Sequence, residues 1–254
     1  MLTALTHTIS PNINLCELSY LKRNPIDLKK AIHQHNKYCS ILKDAGLNVI
    51  ELSVNEKYPD ATFVEDTAVV VDEIAVMANM GADSRKKEVE GIKNELVKFR
   101  KIASIRPPGT LEGGDVLQVD KRIFVGLSAR TNQAGIDSLR FILEPVGYDV
   151  VAVKMKDCLH FKSACTALDD STLLINPNWI DVFPFKDFRL IAVSEGEPEA
   201  ANVLRLPEFI LMHEGFTETI KIVKDAGFNV KTIDISELQK AEAAMTCSSI
   251  IFRN

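Results

Sequence analysis

Short apolar runs recur along this chain in pairs, and each pair is joined by a few polar residues. Phe63 to Val71 turns at Asp72-Glu73 into Ile74 to Met80, and Val116 to Val119 turns at Asp120-Lys121 into Ile123 to Leu127. Ala164 to Leu168 turns at Asp169-Asp170 into Thr172 to Ile175, and Val203 to Leu206 turns at Pro207-Glu208 into Phe209 to Met212. β-Rich runs joined this way predict hairpins. Helical periodicity fills the gaps. From Pro25 to Ala45 the apolar positions are Leu28, Ala31, Ile32, Tyr38, Ile41 and Leu42. Pro25 suits the first turn of that helix and Gly46 its C-terminal cap, with a strand expected at Asn48 to Leu52. The same helix–glycine–strand cassette returns at Leu143 to Val153 and at Val223 to Ile233. It returns without its glycine at Leu96 to Ile105. A fourth, irregular copy runs from Asn178 to Val193, where Pro184 shortens any helix.

The hairpin starts lie at Phe63, Gly113, His160, Ala201 and Cys247, in steps of 50, 47, 41 and 46 residues. A period of this length marks a repeated supersecondary unit whose apolar faces are buried only by its neighbours. Five units, each a hairpin, a helix and a strand, fit a closed ring. An open α/β sheet would instead alternate single strands with helices.

Composition adds limits. Of 254 residues, 46% are hydrophobic and 26% charged, as in ordinary globular proteins, so the chain reads as one domain over residues 1–254. With a net charge of −5 and no basic block, nucleic acid is not an expected partner. Met1 to His7 lacks the pattern of a signal peptide, and no apolar run has membrane length. Five scattered cysteines, Cys16, Cys39, Cys158, Cys165 and Cys247, read as reduced thiols in a cytoplasmic protein. With neither CxxC nor HxxxH, the sequence predicts no structural zinc site.

Candidate chemistry clusters at the hairpin starts. Cys247 lies in Thr246-Cys247-Ser248-Ser249, ahead of a terminal apolar strand. A buried structural thiol is the commoner role of such a cysteine. His160, in an equivalent position, changes the weighing, because a histidine beside a thiol accepts its proton or stabilises its thiolate. Glu112, in Glu112-Gly113-Gly114-Asp115, is placed to orient that histidine, and the glycines permit close backbone approach. Asp60, Glu65 and Asp66 set acids among apolar neighbours. In regular alternation Glu65 and Asp66 cannot both face inward, so one is a surface charge or the strand is irregular. Buried acids need a cation, either a bound guanidinium or a structural arginine. Arg85 and Arg130 follow successive hairpins at matched positions suited to holding a carboxylate.

In this order, these motifs resemble the dimethylarginine dimethylaminohydrolase family of the guanidine-modifying pentein, or amidinotransferase, superfamily. The resemblance rests on Pro59-Asp60, Phe63 to Asp66, Ser84 to Val89, Leu111 to Leu117, Phe124 to Ser128 with Arg130 to Gln133, Leu159-His160 with Lys162-Ser163, and Thr246-Cys247. It implies an α/β fold, a five-bladed propeller of ββαβ units around a central site. It also implies hydrolysis of Nω-methylated arginine to citrulline and a methylamine. By motif, Cys247 would be the nucleophile, His160 the general acid and base, and Glu112 its support. Glu65 and Asp66 would bind the guanidinium, and Arg85 and Arg130 the carboxylate. Asp60, with the main chains of Leu18 and Ala241, would complete the substrate site. The resemblance implies no metal or other cofactor, a small guanidino compound as partner, no membrane, and admits a homodimer. Arginine deiminase activity and a non-catalytic binding pentein are the alternatives. The segment Glu17 to Asn24 is expected to act as a mobile flap, and Asn202 has no assigned role.

Overall fold

The computed structural model describes residues 1–254. It contains five small sheets of three strands, arranged as the blades of an α/β propeller. Four are built as the repeat implies. Ala68–Val70 and Ile74–Met77 form an antiparallel hairpin, and Lys101–Ser104 returns parallel to the middle strand after a helix. The same order holds for Val116–Val119, Arg122–Leu127 and Asp149–Lys154. It holds again for Cys165–Ala167, Thr172–Ile175 and Arg189–Ala192, and for Leu204–Arg205, Ile210–His213 and Val230–Ile233.

The fifth sheet joins the two ends of the chain. Ile250–Arg253 pairs antiparallel with Leu2–His7, which pairs parallel with Asn48–Leu52. Its hairpin strands therefore come from opposite termini, and the pairing closes the ring. Met1 and Asn254 add a backbone bond at its end, Asn254 N–H donating to Met1 O at 2.8 Å.

Local sequence accounts for the element ends. Helix Leu28–Asp44 starts at Asp27, whose carboxylate accepts from the N–H groups of Lys29 and Lys30 at 2.9 and 3.1 Å. Pro25 thus precedes the cap rather than occupying the first turn as expected. Gly46 takes the left-handed backbone after the helix with φ +83°, and Gly147 and Gly227 repeat this in their cassettes. In the irregular fourth copy the crossover contains only the short turn Phe183–Phe185, with Pro184 inside it.

The hairpin entrances differ from the expected straight strands. Val64–Thr67, Gly113–Asp115 and Pro198–Ala201 are 3-10 turns, and Phe161–Ala164 is a single helical turn. A turn has no two-residue alternation, so consecutive side chains can both point inward. Glu65 and Asp66 are accordingly both buried. Arg85 likewise sits in the short turn Asp83–Arg85, and the helix proper is Glu88–Leu96.

The core lies between neighbouring blades. Val69 and Val76 pack with Val116, Val125, Ile136 and Leu139 of the next unit, while Leu5 and Phe252 pack with Ala75, Met77 and Ile92. Each large side chain buried this way contributes about 1.5–3 kcal/mol. The blades therefore stabilise one another.

Candidate active site

The five entrances are linked in order around the centre. Asp66 Oδ1 accepts from Gly114 N–H at 3.1 Å, and Asp115 Oδ1 accepts from Phe161 N–H at 2.9 Å. Thr166 Oγ1 donates to Ala201 O at 2.6 Å. Asn202 Oδ1 accepts from Thr246 N–H at 3.0 Å while its Nδ2 donates to Thr246 Oγ1 at 3.1 Å. Cys247 O accepts from Glu65 N–H at 3.2 Å, which completes the circle. Asn202, without a role in the sequence, is thus the link between the fourth entrance and the residue preceding Cys247.

Close packing here requires glycine. A Cβ on Gly114 would lie 2.6 Å from both Asp66 Oδ1 and His160 Nδ1, and one on Gly113 would strike the Glu65 carbonyl. The expected close approach is therefore to protein groups, which the Gly-Gly pair allows to meet.

A small polar cavity is lined by Asp60, Asp66, Arg85, Arg130, His160, Ala241 and Cys247, together with Glu17, Phe63, Leu159, Glu242 and Ala243. Glu112 lies behind His160, fully buried. Its Oε2 is 2.9 Å from His160 Nε2, and its Oε1 accepts from the N–H groups of Gly81 and Ala82 at 3.0 and 3.2 Å. Arg130 adds a longer contact at 3.4 Å. Leu18 packs in the same apolar cluster as Ala241 and Cys247. Glu65 is not among the residues lining this cavity; it lines a second cleft together with Lys162 and Thr246.

The cation left open for the acidic pair is present within the protein. Glu65 Oε1 accepts from Lys162 Nζ at 2.5 Å, and its Oε2 from Thr246 Oγ1 at 2.7 Å. Asp66 Oδ2 accepts from Arg85 at 2.6 Å. Arg85 also donates to Glu88 at 2.9 Å and to Phe63 O at 3.0 Å, so its guanidinium braces the acidic wall from behind. Arg130 keeps a bond to Ser19 Oγ at 2.9 Å. Asp60 accepts from Glu17 N–H at 3.1 Å.

Electrostatics follow from this packing. Burial disfavours charge on His160, but Asp66, Glu112 and Asp115 outweigh it and hold its pKa at about 9. Burial likewise opposes charge on Glu112, yet the bond to His160 and the nearby arginines bring it down to about 2. Cys247 is pushed far above the ordinary thiol range, first by burial and then by Glu65 and Asp66. At neutral pH the site therefore pairs a neutral thiol with an imidazolium.

Two further features escaped the sequence. Lys162 and Thr246 hold Glu65, although both lay inside motifs already singled out. Glu242 lay in a stretch with nothing distinctive, yet its carboxylate accepts from three successive N–H groups, Ser19 at 2.9 Å, Tyr20 at 2.6 Å and Leu21 at 2.5 Å. Successive N–H groups cupping an anion form a nest. This nest fastens the segment expected to be a flap against the cavity rim. Tyr20 Oη reaches Cys158 O at 3.1 Å, beside a larger cleft of about 440 Å³ that shares Leu159, Glu242 and Ala243 with the site.

The chain is similar to known proteins in sequence and fold. The family model described as N,N dimethylarginine dimethylhydrolase, eukaryotic, matches residues 6–180. The N(G),N(G)-dimethylarginine dimethylaminohydrolase of Streptomyces coelicolor is 35% identical over 254 residues, covering 98% of this chain and 96% of the relative. A solved cysteine-to-serine variant of the Pseudomonas aeruginosa dimethylarginine dimethylaminohydrolase, complexed with citrulline, has a TM-score of 0.92 at 30% identity and covers 98% of both chains. A histidine-to-glycine variant of a dimethylarginine dimethylaminohydrolase, as an adduct with S-methyl-L-thiocitrulline, has a TM-score of 0.93 at 30% identity. The match covers 99% of this chain and all of that one.

Proposed function

This chain belongs to the dimethylarginine dimethylaminohydrolase family, and from that membership we propose that it hydrolyses Nω-methylated arginine to citrulline and a methylamine through a covalent Cys247 intermediate. The observation that carries this reading is the meeting of Cys247, the His160–Glu112 pair and the buried acid Asp66 at one cavity.

Each group then has a task. Asp66, with Glu65 behind it, attracts a planar guanidinium and fixes the face presented to Cys247. The resting thiol is held neutral first by burial and then by the nearby carboxylates Glu65 and Asp66. A bound guanidinium offsets that negative field, so the substrate itself favours the thiolate. The thiol proton passes to solvent as the substrate binds, and the thiolate adds to the guanidinium carbon, giving a tetrahedral adduct. His160 starts as imidazolium and donates its proton to the departing amine. The resulting thiouronium is attacked by water, whose proton His160 takes up, and citrulline leaves as the thiol is regenerated. Glu112 keeps His160 charged and oriented. Arg130, on the cavity wall, takes the substrate carboxylate together with the positive field of Arg85. Asp60 and the main chains near Leu18 and Ala241 receive the α-amino end. No step calls on a metal. The protein works as a single catalytic domain in the cytoplasm on a small guanidino compound.

The test is citrulline formation from asymmetric dimethylarginine, monomethylarginine and arginine, compared as kcat/KM. Preference for a methylated substrate supports the proposal. Preference for arginine would make the enzyme a deiminase, and citrulline from none of the three would overturn the reading.

A further inference from the structure

A second histidine, cysteine and glutamate meet away from the central cavity. His35 and Cys39 stand one turn apart in helix Leu28–Asp44, on the same face, and Glu51 lies in the strand that follows. His35 Nε2 is 3.5 Å from Cys39 Sγ and 3.5 Å from Glu51 Oε1. All three ligand atoms lie within 4.8 Å of one another. His35 and Cys39 are buried, while the Glu51 side chain is 41% exposed and opens the cluster to solvent.

One ring nitrogen here faces two partners that it cannot serve together. Nε2 carries at most one proton, and its contact with Glu51 is at the outer limit of a hydrogen bond. The other nitrogen, Nδ1, is buried without a partner. The alternative contact of the Cys39 thiol, to Thr6 Oγ1, is 3.8 Å. As a hydrogen-bonded group the cluster is poorly satisfied. As a coordination set, its two separations from His35 Nε2 fit. Tetrahedral zinc, with its usual bond lengths, sets nitrogen and sulfur about 3.5 Å apart and nitrogen and oxygen about 3.3 Å apart.

We propose that His35 Nε2, Cys39 Sγ and Glu51 Oε1 form a binding site for a zinc-class divalent cation, with water in the fourth position on the solvent side. The ion ties the helix to its return strand across the Gly46 turn. The site matches neither CxxC nor HxxxH, because its helical pair is mixed, His-x3-Cys, and its third ligand belongs to another element.

The experiment titrates Co²⁺ into the Cys247→Ser protein, so that the thiol at the centre contributes nothing. One equivalent should bind and give a near-ultraviolet thiolate-to-cobalt band. Adding Cys39→Ser should remove the band. Glu51→Gln changes a half-exposed side chain and should preserve the fold by circular dichroism. A direct ligand should cost at least the roughly tenfold in affinity that outer-shell partners cost. No thiolate band at millimolar Co²⁺ would overturn the proposal. So would a band that survives Cys39→Ser, or affinity unchanged by Glu51→Gln.

Discussion

The chain holds a cysteine, a histidine and a glutamate together twice, and the two sets differ in what lies between their members. In Cys39, His35 and Glu51, both partners crowd one ring nitrogen at 3.5 Å and nothing separates them. In Cys247, His160 and Glu112, the glutamate takes one ring nitrogen at 2.9 Å, while Cys247 Sγ accepts only from Ala244 N–H, at 3.4 Å. His160 and Cys247 then face each other across a cavity. Both histidines are held near pKa 9 against burial, one by Cys39 and Glu51, the other by Asp66 and Glu112. Residue type and raised basicity are therefore shared. The difference is space: the peripheral set is in direct contact, whereas the central cysteine and histidine line a cavity.

The sharpest way to break this contrast is to change each cysteine in turn. Cys247→Ser should lower citrulline formation by about a thousandfold or more with the far-ultraviolet spectrum intact. Cys39→Ser should leave turnover in metal-free buffer within about threefold, because it touches neither cavity nor entrance ring. Equal losses in both would remove the distinction.

Next in size is Glu112→Gln. It takes away one of the carboxylates that hold His160 charged, so the His160 pKa should fall. His160 must carry a proton to expel the amine, so kcat/KM should decline with rising pH near 9 in the parent and at a lower pH in the variant. Activity should drop about a hundredfold at neutral pH. The same pair contributes to stability. A histidine with a raised folded pKa stabilises fully below about pH 6.5 and loses that contribution as pH rises through about 9. Denaturant midpoints across this range should fall in the parent and flatten in Glu112→Gln.

Salt offers a gentler test. Glu51 is partly exposed and Glu112 fully buried, so added salt should lower the His35 pKa more than that of His160. Histidine titration by NMR at low and high ionic strength reads this directly, and equal shifts would count against the burial argument.

Asn202→Ala tests the ring rather than a catalytic group. It leaves the Thr246 N–H buried without its acceptor, which costs about 1–3 kcal/mol, and it frees the hydroxyl that holds Glu65. A lowered melting temperature with a severalfold loss in kcat/KM is expected. The smallest effect belongs to Glu242→Gln, which weakens the nest under residues 19–21. Amide exchange there should quicken while kcat changes little.

Much of this molecule was legible before any coordinates. The paired apolar runs announced the hairpins, because a half-buried strand needs alternation that survives in the sequence. Gly46, Gly147 and Gly227 announced the helix ends, because few other residues take a positive φ cheaply. Motif order pointed to Cys247, His160, Glu112 and the acids; Cys247, His160, Asp60 and Asp66 line one cavity, with Glu112 bonded to His160, while Glu65 is held by Lys162 and Thr246. What the sequence could not contain was direction. Periodicity left open whether Glu65 and Asp66 diverge or the strand is irregular, and the turn at Val64–Thr67 buries both. Leu2–His7 showed no partner until the far terminus arrived beside it. The link from Asn202 to Thr246, the nest around Glu242 and the meeting of His35 with Glu51 all depend on elements distant in the chain. Local propensity fixes where elements start and stop, since it depends on neighbours in sequence. Which side chains confront one another, and across what space, depends on non-local packing, and that was settled only when the ring closed.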